Sequence, residues 1–236
     1  MTSVVDASEA RDHRTLVGAQ RRERTRMRLV ESAMLVFAER GTDGSVIEEV
    51  IATAGVSRGT FYNYFDSNEA LFAAVAEEVG NQMLLLVDPV VLRQPDPAAR
   101  VATGVRLMLR IARAHPHLAA FMARVGPPAV SARSLVTGSL LRDLRRGIAA
   151  GRFPAMDAGL AFDLVTGPVL AGFHRMLTTR VPATYAEDMA QAVLRSLGVP
   201  PATARKLARL PLARPKIDSQ SLLVRAEARA AGTRQG

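Results

Sequence analysis

The stretch SVIEEVIATAGVSRGTFYNYFDSNEAL, residues 45–71, predicts two short helices joined by a tight turn and followed by the start of a third. Ser45 is placed to cap the first of these helices, and Gly55 is placed to end it. Ser57 is placed to cap the second helix, which therefore begins at Arg58. Apolar side chains recur along one face of the first helix: Ile47, Val50, Ile51 and Ala54. This arrangement is a helix-turn-helix.

The second helix of the pair has an apolar face and an exposed face. Successive side chains of an α-helix are rotated by about 100°, so Phe61 and Phe65, four residues apart, point the same way. We expect both to pack inward. Glycine costs about 1 kcal/mol against alanine within a helix, so Gly59 indicates that a partner approaches the backbone closely. A DNA major groove admits one helix with its N-terminal residues leading. The residues that frame the exposed strip are Arg58, Gly59, Thr60, Tyr62, Asn63 and Tyr64.

The run AGVSRGTFYNYFDSNEALF, preceded by a helix that ends FAERG, resembles the DNA-binding domain of the TetR family of bacterial transcriptional regulators. The positions that agree at fixed spacing, within residues 24–79, are Phe37, Gly41, Ala54, Gly55, Val56, Ser57, Thr60, Tyr62, Phe65 and Leu71. This resemblance implies a homodimer whose C-terminal helices often enclose a small-molecule pocket. It also implies that certain residues meet bases or phosphates, namely Arg58, Gly59, Thr60, Tyr62 and Tyr64.

Two positions depart from the family pattern. Asn68 stands at the N-terminus of the fourth helix, where the family usually has a lysine that touches a phosphate. We expect Asn68 to lie at the DNA surface as a hydrogen-bonding group without charge. Ile51 replaces a usual alanine, so the packing between the first two helices is expected to be adjusted. Ser45, at the start of the second helix, is a further candidate for DNA contact.

The net charge of +9 invites a nucleic-acid interpretation, but the charge is unevenly distributed. Residues 1–80 hold 9 basic and 13 acidic residues, a net charge of −4, whereas residues 81–236 hold 22 basic and 9 acidic residues, a net charge of +13. Local charge is more informative, because five arginines crowd the start of the first helix. Of these, we expect Arg24 and Arg26 to reach phosphates or a minor groove, and a solvated basic arm is the alternative.

The composition is that of a compact protein. A chain of 236 residues with 48% hydrophobic content can bury the core of one or two domains. It has no cysteine, which excludes disulfides, thiolate metal sites and a cysteine nucleophile and fits a reducing cytosol. The longest apolar runs fall far below the roughly 20 residues needed to cross a bilayer, and the N-terminus lacks a signal-peptide core. We therefore expect a cytoplasmic protein.

Helical periodicity and the absence of an alternating strand pattern predict an all-α fold for the whole chain. Beyond the helix-turn-helix, the predicted helices cover about 22–40, 68–87, 96–114, 116–125, 131–150, 157–180, 184–197 and 201–210. The predicted organisation is a disordered leader (1–20), a DNA-binding domain (21–66), a helical effector-binding and dimerisation domain (67–210) and a basic C-terminal tail (211–236) with a possible short helix over 218–231.

The second half has features of a dimer interface and of a ligand pocket. Small residues in 157–180 allow close helix approach, so this segment and 184–197 are predicted to form the interface, with the monomer core as the alternative. Methionines suit an irregular apolar cavity, and histidines can orient a polar ligand group. The pocket candidates, for each of which plain core or structural packing is the alternative, are Met83, Met108, His117, Phe121, Met122, Phe173 and His174.

Enzyme signatures are missing from the sequence. It contains no GxSxG, Walker A or GxGxxG motif, and four histidines without cysteine offer no convincing metal cluster. We therefore expect no catalytic residue, metal or cofactor. The sequence predicts a homodimeric repressor that binds a palindromic operator in double-stranded DNA and is released by an unknown small-molecule effector. The alternatives are a weakly specific architectural DNA-binding protein without effector, and an enzyme or metabolite-binding protein with a vestigial helix-turn-helix.

Overall fold

The computed structural model describes residues 3–41, 46–125 and 135–233. Within these ranges the chain forms eleven helices and no strand, which confirms the predicted all-α class. The helices are α1 (Ser3–Arg40), α2 (Ile47–Ala54), α3 (Arg58–Tyr62), α4 (Asn68–Val91), α5 (Pro97–Ala114), α6 (Pro116–Val125), α7 (Leu135–Ala149), α8 (Ala158–Thr178), α9 (Tyr185–Ser196), α10 (Pro201–Ala208) and α11 (Leu222–Thr233). After the functions that the sequence predicts for them, we call α1–α3 the DNA-reading unit and α4–α10 the effector domain.

The helix-turn-helix forms through the local signals in its sequence. Gly55 ends α2 with a φ of 62°, a left-handed conformation that glycine adopts without strain. Ser57 caps α3, because its Oγ accepts a hydrogen bond from the Thr60 backbone N–H at 3.1 Å. Phe61 and Phe65 are buried in the core, and α2 packs against both α1 and α3. These contacts fix α3 with its opposite face outward.

Helix α1 is longer than the sequence analysis predicted. Residues 1–20 were expected to form no structure, but the helix begins at Ser3 and continues without a break to Arg40. Residues 1–20 contain no proline, and their three alanines, two arginines and one glutamate favour a helix. The side chains of residues 16–24 are exposed. The first part of α1 is therefore a helical extension of the packed part.

Helix α4 continues through the proline that was expected to mark its end. The prediction placed its end near Val87, before Asp88 and Pro89, but the helix runs to Val91. Pro89 removes one backbone hydrogen bond from the last turns. Val90 and Val91 are buried, and the burial of these two side chains stabilises the helix beyond the proline.

By length and composition, α4 is also the one helix in the described part of the chain that is apolar enough to cross a membrane. One such helix is weak evidence for a membrane span, because a helix in the core of a soluble protein passes the same test. Its buried side chains are Leu71, Ala74, Val75, Val79, Met83, Leu86, Val90 and Val91.

Local signals also set the boundaries of the helices that follow α4. Asp96 caps α5 by accepting the Ala98 N–H at 3.0 Å, and Pro97 occupies the first turn. Gly151 and Gly198 follow α7 and α9 with φ values of 65° and 77°. Helix α5 lies at the centre of the domain, where it packs against α4, α6, α7, α8, α9 and α10.

The segment predicted to be a basic tail is part of the folded core. Its helix, α11, begins at Leu222, four residues later than predicted, after a turn in which Asp218 accepts the Gln220 N–H at 2.8 Å. Leu222, Leu223 and Ala226 are fully buried, and α11 packs against α1, α4 and α6. These apolar positions form one stripe on the helix, which the basic composition of the segment obscured.

Candidate nucleic-acid interface and small-molecule cavity

The outer face of α3 presents polar groups above a buried aromatic pair. Gly59 and Asn63 are exposed, and the Tyr62 side chain is 41% exposed. Phe61 and Phe65 lie on the opposite side and are buried. Helix α3 is thus anchored on one face and bare on the other, which is the geometry required of a helix that enters a groove.

Arg58 is held by two neighbours on this face. Its Nη1 lies 3.1 Å from Glu48 Oε1, and its guanidinium carbon lies 5.9 Å from the centre of the Tyr62 ring. Hydrogen bonding to Tyr62, followed by the charge of Glu48, raises the pKa of Arg58 above its ordinary value. The Arg58 side chain is 67% exposed, so these contacts are weak and can be exchanged for a base edge or a phosphate.

Thr60 and Tyr64 are less available than the sequence analysis expected. The Thr60 hydroxyl lies 2.8 Å from the Ser57 hydroxyl, within the cap of α3. Tyr64 is half-buried against the core, and the Arg22 guanidinium carbon lies 5.7 Å from the centre of its ring. Tyr64 lies two residues beyond the end of α3 and, like Thr60, is only partly exposed.

The remaining DNA-contact candidates lie around this helix. Arg24 is exposed on α1, and Arg26 is half-buried with its Nη1 3.5 Å from Glu23 Oε1. Asn68 is half-buried in the first turn of α4, directly after the capping residue Ser67. Ser45 lies outside the described residues.

A cavity of about 140 Å³ lies among α4, α5, α6, α7 and α8. Its walls are mainly apolar, and four of the predicted pocket residues line it: Met83, Met108, Met122 and Phe173. An engineered cavity of about 150 Å³ with apolar walls holds one benzene molecule. The cavity therefore has the size of a single six-membered ring.

Charged groups form part of the cavity wall. Asp88, Arg100 and Asp143 line it, and Arg100 Nη1 donates to Asp143 Oδ1 at 2.8 Å. Arg142 joins the two carboxylates, with its Nη2 3.4 Å from Asp88 Oδ1 and 3.1 Å from Asp143 Oδ2. The hydrogen bond to Asp143 is the main cause that raises the pKa of Arg142. Apolar walls with a few convergent polar groups are typical of small-molecule sites.

Three predicted pocket residues lie elsewhere. His117 Nδ1 is 2.5 Å from Glu227 Oε2, so this side chain faces α11. Phe121 is fully buried, with its ring centre 6.4 Å from that of Phe37 on α1. His174 is exposed on α8. A residue's position on its own helix predicts which side it occupies, but not which neighbouring helix that side meets.

The charged side of the cavity was missed at the sequence level. Asp88 precedes a proline, which predicts the end of a helix rather than a cavity wall. Arg100 and Asp143 are separated by 43 residues, and no local pattern reports a pair at that distance. The sequence held one signal of a charged cavity wall, which is the position of Asp88 within the apolar run of α4.

Two family models match the chain. The model described as bacterial regulatory proteins, tetR family, matches residues 29–75, and the model described as tetracyclin repressor-like, C-terminal domain, matches residues 96–210. The two ranges contain the helix-turn-helix and α5–α10, whereas α11 lies outside both.

Curated relatives match over shorter ranges. An uncharacterised HTH-type transcriptional regulator of Mycobacterium tuberculosis (strain CDC 1551 / Oshkosh) is 32% identical over 116 residues, which are 48% of this chain and 55% of that protein. The HTH-type transcriptional repressor DhaR of Mycobacterium sp. (strain GP1) is 45% identical over 53 residues, 22% of this chain and 27% of that protein. The chain thus spans about half, or less, of the length of these relatives.

Solved structures match over most of the chain. RolR in complex with resorcinol has 34% identity and a TM-score of 0.67, and the match covers 84% of this chain and 100% of RolR. FadR from Bacillus subtilis in complex with stearoyl-CoA has 19% identity and a TM-score of 0.58, and the match covers 72% of this chain and 96% of FadR. The likeness to FadR extends to the fold alone.

Proposed function

The chain belongs to the TetR family of transcriptional regulators, and from this premise we propose that it is a repressor that binds a palindromic operator as a homodimer and is released by a small molecule. It acts in the cytoplasm, where bacterial DNA lies. The observation that carries the proposal is the outer face of α3, with exposed Arg58, Gly59 and Tyr62 above buried Phe61.

The exposed face of α3 supports the DNA half of the proposal. An arginine at the N-terminus of such a helix can donate two hydrogen bonds to guanine O6 and N7, and Gly59 allows the backbone to approach the base edges. Helix α3 spans only Arg58–Tyr62 and therefore reads few base pairs. Two copies related by a two-fold axis lengthen the site, with half-sites about 34–36 Å apart or at a multiple of that distance.

Helix α8 supplies a surface for the second copy. Leu160, near its start, is 53% exposed and lies about 20° around the helix from Gly167, whereas Leu177, near its end, is 41% exposed and lies at the edge of this face. Between them, no atom lies within 4 Å of a Cβ placed on Gly167, so a second helix can approach closely. Val165 and Phe173, on the other face, are buried within the protomer. We assign the outer face of α8, together with the adjacent α9, to the dimer interface.

The cavity supports the effector half of the proposal. Its volume suits one ring, and the carboxylates of Asp88 and Asp143 can accept hydrogen bonds from ligand hydroxyls. RolR, which is 34% identical to this chain, has resorcinol bound in its structure. Resorcinol is a single ring with two hydroxyl groups. We therefore assign the effector to the class of small hydroxylated aromatic molecules.

Selection from a random duplex library, followed by fluorescence anisotropy at several salt concentrations, tests the DNA half. We expect the selected sequence to be palindromic and to bind on the order of 10³-fold more tightly than random DNA. Tyr62→Ala should abolish this preference, whereas Leu92→Ala, at a similarly exposed site directly after α4, should preserve it. Equal binding of all sequences with a steep salt dependence, unaffected by Tyr62→Ala, would instead identify a weakly specific architectural protein.

Calorimetry with resorcinol as the probe tests the effector half. We expect binding, together with an operator affinity reduced by about 5- to 150-fold when resorcinol is present. Stearoyl-CoA is the control, because it is far larger than the cavity. Binding of resorcinol without any change in operator affinity would contradict release, and failure of every single-ring phenol to bind would contradict the assigned ligand class.

A further inference from the structure

Helix α11 lies at the junction between the DNA-reading unit and the effector domain. It follows residue 210, where the second family match ends, and is not part of either matched range. Leu222, Leu223 and Ala226 are fully buried, and the helix packs against α1 on one side and against α4 and α6 on the other. A helix in this position contacts both units at once.

Two arginines tie α11 to the DNA-reading unit. Arg225 Nε lies 2.6 Å from Glu31 Oε1 on α1, as an ion pair whose N–H is not aligned for a hydrogen bond. Arg229 Nη2 lies 3.7 Å from Glu31 Oε2, and Arg229 Nη1 donates to the Thr53 carbonyl oxygen at 3.2 Å, in the last turn of α2. The Glu31 side chain is only 8% exposed, so its charge depends on these partners.

One glutamate ties α11 to the effector domain. The His117 backbone N–H donates to Glu227 Oε1 at 3.1 Å, and His117 Nδ1 lies 2.5 Å from Glu227 Oε2. His117 is in the first turn of α6, where backbone N–H groups have no partner within the helix and a carboxylate is favourable. The same helix contributes Met122 to the cavity wall.

The two ties leave α11 from opposite sides. Arg225 and Arg229 are four positions apart and share a face, whereas Glu227 is about 200° from Arg225 around the helix. A displacement of α6 therefore pulls on one side of α11, while α1 and the end of α2 are held by the other side. Helix α2 packs directly against α3.

We propose that α11 is a coupling helix, which transmits a shift of α6 at the cavity to α2 and thereby to α3. The roles of effector and operator in this transmission rest on the function proposed above, but the mechanical link between α6 and α2 does not. Because coupling is reciprocal, loosening the tie at either end of the link must be felt at the other end.

Hydrogen exchange followed by mass spectrometry on the full chain tests the link without DNA or effector. Glu227→Ala removes the tie to α6, whereas Glu227→Gln keeps an acceptor for the His117 N–H. In the alanine variant we expect exchange in α2 (Ile47–Ala54) to accelerate by about fivefold or more. In the glutamine variant α2 should match the wild type, and α9 (Tyr185–Ser196) should be unchanged in both.

The reciprocal variant is Arg229→Ala, for which we expect faster exchange in α6 (Pro116–Val125). Arg205→Ala, which removes the same charge from an exposed position on α10, is its matched control. Acceleration confined to α11 and the helix that lost its contact would overturn the proposal. So would a uniform acceleration that includes α9, because α11 would then stabilise the whole protein without linking two sites. Failure to select an operator would overturn the proposed function and leave this link standing.

Discussion

At the scale of single residues, Arg58 already has a partner within the protein. The Glu48 carboxylate, 3.1 Å away, competes with DNA for the Arg58 guanidinium. We expect Glu48→Gln to raise operator affinity by about two- to fivefold, the effect of releasing an exposed ion pair. Glu49→Gln is the matched control, because Glu49 pairs with Arg40 instead, at 2.7 Å. Anisotropy measures both. An equal rise in the two variants would show that only the overall charge of α2 matters.

Gly59 separates the requirements of folding from those of DNA binding. A Cβ at this position would have Ser57 Oγ as its nearest neighbour, at 4.0 Å, so the folded protein has room for alanine. We expect Gly59→Ala to leave the melting temperature unchanged or to raise it, and to lower operator affinity at least tenfold because the methyl group meets the DNA. Gly138→Ala, on α7, where a Cβ would have no neighbour within 4 Å, should leave operator affinity unchanged. Unchanged affinity of Gly59→Ala would remove the argument for close approach.

The helical angle predicts the direction in which a side chain points, but it does not predict which groups the side chain contacts. Phe61 and Phe65 are buried as expected, because the angle between them follows from helical geometry and a hydrogen-bonded turn. Tyr64 was predicted on the exposed strip by the same angle, yet its side chain is half-buried against the core. Its ring lies under the Arg22 guanidinium of α1, a contact that the helical angle does not predict.

At the scale of the element, Asp96 both caps α5 and binds Arg152, whose Nε and Nη2 donate to its two oxygens at 2.9 and 2.6 Å. This contact with Arg152 is the main cause that lowers the pKa of Asp96 below 3.8. The unfolded chain therefore binds the proton more readily than the folded one. The stabilisation by Asp96 is present above pH 4 and is lost as the pH falls through the lowered pKa.

Urea unfolding of Asp96→Asn should show this dependence. Asparagine retains the cap, so we expect a loss of about 1 kcal/mol or less at pH 7, and this loss should shrink as the pH falls below about 4. Asp157→Asn is the control, because Asp157 caps α8 in the same way and has no ion-pair partner in the described part of the chain. A loss at Asp96 that is independent of pH would assign the whole effect to the cap.

Helix boundaries were predictable where a capping residue, a proline or a glycine marks them. Asp96, Gly151 and Gly198 mark such boundaries, and α5–α10 begin and end close to the predicted positions within the described ranges. The prediction was wrong where tertiary packing overrides a local signal, as at Pro89 in α4. It was also wrong where composition obscured an apolar stripe, as in α11.

At the scale of the whole molecule, the proposed dimer rests on the exposed face of α8. Leu160 is 53% exposed in the protomer and lies on the same face as Gly167, so Leu160→Glu should leave the helical circular dichroism spectrum intact. We expect monomers in analytical ultracentrifugation and an operator affinity lower by roughly 10²-fold or more, because avidity is lost. Leu85→Glu, at a 69% exposed site on α4, is the control. A Leu160→Glu protein that remains dimeric would place the interface elsewhere.

The cavity marks the limit of prediction at this scale. Met83 and Phe173 line it as proposed, whereas Asp88 and Asp143 were not foreseen. Methionine content identifies adaptable apolar surface, but five helices must be assembled before one can tell which surfaces enclose a space. The helix-turn-helix was easier to predict because its signals lie within one continuous stretch of the chain.

The packing of α11 against α1 also has a consequence for biosynthesis. Leu222, the first residue of α11, comes 151 residues after Leu71, where the helix-turn-helix stretch ends. A ribosome that adds roughly 5–20 residues per second needs about 8 to 30 s to make that length of chain. During this interval the completed helix-turn-helix lacks its distant packing partner, and the apolar surface that α11 covers is open to chaperones. A new protein molecule therefore reaches its final DNA-binding form only well after its recognition helix has left the ribosome.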